Sequence, residues 1–94
     1  MTGKQRAKLR SMANGLDTIL YIGKDGITEA ILKEAYDALE AREIIKCAVQ
    51  QGSDLSAQEA CAIICEKTNA QPILVIGRRF VMYRESNTNK QIIL

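Results

Sequence analysis

Apolar and polar positions along the chain follow two rhythms, one near 3.6 residues and one near 2, and their boundaries divide it into seven segments. Residues 3–13 predict a first helix, with Leu9, Met12, Ala13 and Leu16 in one stripe and a stop near Asn14-Gly15. Lys4 and Lys8 line one edge of that stripe; Arg6 and Arg10 line the other. Thr18–Ile22 are apolar and β-branched, the composition of a short buried strand. Gly23-Lys24-Asp25-Gly26 breaks the run, and Thr28 then caps a second helix over about 28–41, with Ile27 and Leu32 placed as a hydrophobic staple. Ile31, Leu32, Ala35, Tyr36, Ala38 and Leu39 form its apolar face, opposite the mostly acidic row Glu29, Lys33, Asp37 and Glu40.

Glu43–Val49 alternates as a strand, and Gln50–Asp54 is a polar loop. The capping box Ser56-Ala57-Gln58-Glu59 opens a third helix to about Thr68 that buries Ala60, Ile63 and Ile64, with Cys61 and Cys65 at the edge of its face. Pro72 introduces the strand Ile73–Ile76. Gly77-Arg78 reads as a two-residue hairpin turn with glycine first, and Arg79–Arg84 returns as the last strand. The polar segment Glu85–Asn89 is expected to be a mobile tail, and the pattern leaves open whether Ile92–Leu94 docks. The order α-β-α-β-α-β-β predicts a single α/β domain. Its crossovers call for parallel pairing and its hairpin for antiparallel pairing, so a four-stranded mixed sheet is expected.

Composition narrows the function. A chain of 94 residues has room for one core, and its 47% apolar and 26% charged residues are an ordinary globular balance. No apolar run approaches the roughly 20 residues that span a bilayer, so no membrane role is expected. The basic N-terminus lacks the apolar core of a secretion signal. Cys47, Cys61 and Cys65 are an odd number without framework spacing, which fits a reducing cytoplasm. The net charge is only +2, but its distribution is uneven. Lys4, Arg6, Lys8 and Arg10 stand at one end without an acid; Arg78, Arg79, Arg84 and Lys90 stand near the other with only Glu85. If the ends meet, the molecule has one basic and one acidic side.

The absence of histidine removes the usual general base and the commonest metal ligand. Cys61 and Cys65 lack zinc-knuckle spacing and read as small buried hydrophobes, so no metal or other cofactor is expected. Neither a catalytic constellation nor a small-molecule substrate site is evident. The inventory for RNA is better. Gly23 and Gly26 allow unusual backbone angles and close approach, Lys24 stands at the tip, and a helix mouth follows, the parts of a phosphate-backbone seat. An ordinary strand-to-helix turn is the competing reading. Arg78 and Arg79 mark a basic hairpin tip, and Tyr21, Phe80 and Tyr83 are rings that either stack on unpaired bases or fill the core.

Taken in order, the basic first helix, Ile19–Thr28, Glu43-Ile44-Ile45-Lys46 and Val75–Arg84 resemble the YhbY family, bacterial stand-alone versions of the CRM (chloroplast RNA splicing and ribosome maturation) domain. The resemblance covers residues 3–85. It implies a fold similar to the C-terminal domain of translation initiation factor three and RNA binding without catalysis. It further implies association with ribosomal RNA in precursors of the large (50S) subunit. The family's glycine loop, compared with the GxxG clamp of KH domains, falls on Gly23, Lys24, Asp25 and Gly26. Asp25 offsets the charge of Lys24, which places the loop's expected work on backbone N–H groups. The RNA-binding set expected from these readings is Gly23, Lys24, Asp25, Gly26, Lys4, Lys8, Arg78, Arg79 and Arg84. A rival expectation is a protein-interaction module whose acidic helix face docks a ribosomal protein or an assembly GTPase.

Overall fold

The computed structural model describes residues 1–94 and carries the seven elements in the expected order. Helix α1 (Gly3–Ala13) starts at Thr2, whose hydroxyl accepts the Gln5 N–H while the Gln5 side chain accepts the Thr2 N–H. Strand β1 (Thr18–Ile22) leads through the glycine bend into helix α2 (Glu29–Arg42), which is followed by strand β2 (Ile44–Val49). Helix α3 (Ala57–Thr68) and the hairpin of β3 (Gln71–Ile76) and β4 (Arg79–Tyr83) complete the chain. Thr28 and Ser56 cap α2 and α3, and Ser56 forms a reciprocal box with Glu59.

The strands lie in the order β1-β2-β4-β3, with β1 and β2 parallel and β4 antiparallel to both its neighbours. The sheet is therefore mixed. Strand β2 is central and apolar but for Lys46, and five of its six residues are buried. Strand β3 is an edge, which accommodates Pro72 because a proline has no N–H to give a further neighbour.

Helices α2 and α3 cover one face. Leu20, Ile22, Ile45, Cys47, Val49, Phe80 and Met82 of the sheet pack there against Ala35 and Leu39 of α2 and Ala60, Cys61 and Ile64 of α3. Helix α1 lies alone on the other face, where Leu9 and Ala13 meet Ile44, Ile73, Val81 and Tyr83. It runs alongside β3: Arg6 donates to the Pro72 carbonyl at 2.6 Å, Arg10 Nε reaches toward that of Ile73, and Ala13 and Asn14 stand beside Leu74 and Ile76. At about 16 Å long it is too short to cover that face entirely.

Three expectations are corrected. Buried positions of α3 fall at 57, 60, 61, 64, 65 and 68, a helical stripe that takes in both cysteines and leaves Ile63 outside it. Burial pushes the Cys47 thiol up to about 12, and the hydrogen bond that Cys65 shares with Cys61, 3.9 Å away, raises the Cys65 thiol. Tyr36, expected in the apolar face of α2, is exposed. The third correction concerns the polar tail. Glu43, the C-cap of α2 with φ 67°, is fully buried, and its carboxylate accepts N–H groups from Ser86, Gln91 and Ile92 at 2.6–2.7 Å. Glu40 accepts bonds from Ser86, Asn87 and Thr88. The segment expected to be mobile is thus strapped across the end of α2, and Ile92 packs on the α1 side of the sheet.

Candidate nucleic-acid interface

The glycine bend is a β-turn in which the Gly26 N–H donates to the Gly23 carbonyl at 3.1 Å, with Lys24 and Asp25 exposed at the two central positions. Gly26 has φ +72°, a left-handed value that a side chain resists. At Gly23 a Cβ would stand 3.0 Å from the Gln50 side-chain oxygen, the far end of a flexible side chain. The turn leans on the loop that follows β2, where the Gln50 N–H donates to the Ile22 carbonyl at 2.8 Å and Lys24 lies beside Gly52. Helix α2 opens three residues after the bend. The Thr28 hydroxyl takes the Ile31 N–H at 3.2 Å, and Glu29 stands in the first turn, so the helix's own residues partly satisfy its positive end.

The β3–β4 hairpin turns at Gly77-Arg78, with Ile76 paired to Arg79. Gly77 has φ +58° and Arg78 has none in the positive range, the pattern of a type II′ turn. The Val49 N–H donates to the Arg78 carbonyl at 2.8 Å. Since the bend follows β1 and the hairpin precedes β4, both abut the terminal end of β2. Two strand spacings, about 10 Å, separate them. Lys24, Arg78 and Arg79 are exposed and none is paired with a carboxylate. Arg78 borders a cavity of about 440 Å³ whose other side includes Asp54 and Glu59.

The remaining predicted residues lie elsewhere. Lys4 and Lys8 stand near the C-terminus, where Lys8 donates to the Ile93 carbonyl. This end lies beyond Pro72, some four residues of β3 or roughly 13 Å from the hairpin turn. Arg84 is on the α2/α3 side. Its guanidinium donates to the Thr68 carbonyl at 3.1 Å, pairs with Glu40, and sits 4.4 Å above the Tyr36 ring. Arg84 thus ties α2 to α3, with its charge paired to Glu40 on the far side of the sheet from α1. Of the three strand rings, Phe80 and Tyr83 are buried and Tyr21 is 53% exposed. Lys46 was overlooked by the sequence reading, although a lone cation inside the apolar run of β2 is a signal that one sheet face lies open there.

A four-stranded mixed sheet with two helices on one face and a short basic helix on the other, ending in a glycine bend beside a basic hairpin, defines a small α/β fold; no helix is long and apolar enough to cross a membrane. The chain belongs to the CRS1 / YhbY (CRM) domain family, whose model matches residues 1–84. It is 38% identical over 92 residues to the probable RNA-binding protein YqeI of Bacillus subtilis, covering 98% of this chain and 96% of that protein. It is 31% identical to an RNA-binding protein of Haemophilus influenzae, covering 96% and 91%. The solution structure of a hypothetical Staphylococcus aureus protein, a candidate RNA binder, superposes with a TM-score of 0.81 at 44% identity, over 100% of this chain and 98% of that one.

Proposed function

We propose that this chain is a cytoplasmic, non-catalytic RNA-binding protein that holds ribosomal RNA in precursors of the large subunit and assists their assembly. The observation that carries the reading is that the glycine bend and the Gly77-Arg78 turn share one end of the sheet, with unpaired cations on both. Backbone N–H groups and Lys24 at the bend receive one stretch of phosphates, while Arg78 and Arg79 receive another about 10 Å away. The RNA-binding names of two relatives in the same family support the reading. Sedimentation of cell extract through a sucrose gradient tests it: the chain is expected with large-subunit precursors, and Arg78→Glu with Lys24→Glu is expected to release it to the top. Migration of the unaltered chain only with small-subunit particles, or with none, overturns it.

A second reading rests on the outer side of α2, where Glu34 is exposed and Asp37, paired with Lys33 at 2.8 Å, is exposed beside it, a surface for a basic ribosomal protein or an assembly GTPase. The two surfaces lie on different layers and are compatible. A partner retained on this chain after nuclease treatment of a lysate, and lost on Glu34→Lys with Asp37→Lys, would support it.

A further inference from the structure

Residues paired in register on adjacent strands point to the same face of a sheet, so the pairing defines a row across all four strands. Tyr21 pairs with Ala48, Ala48 with Arg79, and Arg79 with Ile76. The row lies on the face that α1 covers, as the next row in β2, β4 and β3 shows: Lys46, Val81 and Leu74 include residues packed against α1. Yet α1 stops short of it, and Tyr21 and Ile76 are 53% and 66% exposed. Between Tyr21 and Arg79 stands the small, buried side chain of Ala48, so the exposed ring and the guanidinium lie two strand spacings apart, about 10 Å. Beyond Arg79 a cavity of about 160 Å³ opens against the end of α1, lined by Ala13, Asn14, Lys46, Leu74, Ile76 and Arg79 among others. Its walls are largely apolar, with the two cations and one amide as the polar groups. Neither row contains a carboxylate; Asp17 lines a separate cavity with Lys46.

An exposed aromatic ring, an apolar hollow and two cations without a counter-ion on one face match the chemistry of a single-stranded polyanion with flat faces. We infer that the uncovered part of the α1 face binds unpaired RNA nucleotides, one base stacking on Tyr21 and a neighbouring base entering the cavity beside Asn14. Lys46 and Arg79 neutralise the intervening phosphate. The inference rests on the proposed RNA interface and extends it: phosphates held at the end of the sheet continue onto its open face. The interface at the end of the sheet reads backbone alone, while the sheet face requires that bases be unpaired.

The two are separable by fluorescence anisotropy with a single-stranded oligoadenylate and an RNA duplex of equal phosphate count. Tyr21→Leu is expected to weaken the single strand about tenfold and leave the duplex unchanged, while Tyr21→Phe keeps both. Arg78→Glu is expected to weaken both probes alike. Duplex binding serves as the folding control for the Tyr21 variants. Loss of both probes on Tyr21→Leu, or unchanged single-strand affinity while Arg78→Glu weakens it, overturns this inference and leaves the interface standing. If the unaltered protein binds neither probe, the interface fails and the inference with it.

Discussion

Gly23 and Gly26 occupy one turn for different reasons, and their alanine variants separate them. At Gly26 the left-handed φ persists whatever the surroundings, so Gly26→Ala is expected to cost about 1 kcal/mol in urea unfolding. At Gly23 the obstacle is the far end of the Gln50 side chain, which can swing away, and Gly23→Ala is expected to change stability by less than about 0.5 kcal/mol. Arg84 shows the limit of reading single residues. In the sequence it is one more cation at the end of a basic strand; in the fold its carboxylate partner is 44 positions away on α2 and its aromatic partner a turn earlier. Nothing local distinguishes it from Arg78 or Arg79. Arg84→Gln is expected to lower the urea midpoint, since it removes the ion pair with Glu40 and the ring contact with Tyr36, and to leave RNA affinity within twofold. The affinity arm is read by filter binding beside Arg78→Glu.

At the scale of elements, the periodic segments were legible because one face of each is fixed by a core: the α1 stripe, the Thr28 and Ser56 caps and the hairpin turn all stand where the pattern puts them. The tail was not legible, because what holds it is a carboxylate more than forty residues earlier, and hydrogen bonding of that range leaves no periodicity. Its electrostatics can be tested. Burial pushes the Glu43 carboxyl up, but the N–H groups of Ser86, Gln91 and Ile92, helped by Lys90, outweigh burial and hold it below the usual carboxylate value of 4.5. A carboxyl whose folded pKa is depressed adds stability that is complete above its unfolded value and lost as pH falls through the folded one. The unaltered chain is therefore expected to lose stability steeply below about pH 4.5, and Glu43→Gln to be less stable at neutral pH but flatter in acid. Urea midpoints at neutral and acidic pH check this. Removal of residues 86–94 takes away the donors that hold the Glu43 carboxyl low, so the truncated chain is expected to regain ground on the intact one as pH falls.

Over the whole molecule the cations do not form the single basic side that their positions in the chain suggested. Lys4 and Lys8 gather with the C-terminus, Lys24, Arg78 and Arg79 at the far end of the sheet, and Arg84 behind it. Four contacts, Lys24, Lys46, Arg78 and Arg79, at roughly 0.7 each predict that log affinity for a single strand falls against log salt with a slope near −3. A slope near −4 would bring Lys4 and Lys8 into the interface as well. That difference is measurable in one salt titration.

The position of β4 has a consequence for biosynthesis. It is the last strand to be made, yet it lies between β2 and β3 and carries Phe80 and Met82 into the principal core. A nascent chain ending before Arg79 has a two-stranded piece, an orphan edge and a gap where their common neighbour belongs. Until Arg79–Tyr83 has been made, the two halves of the sheet have no common neighbour to join them.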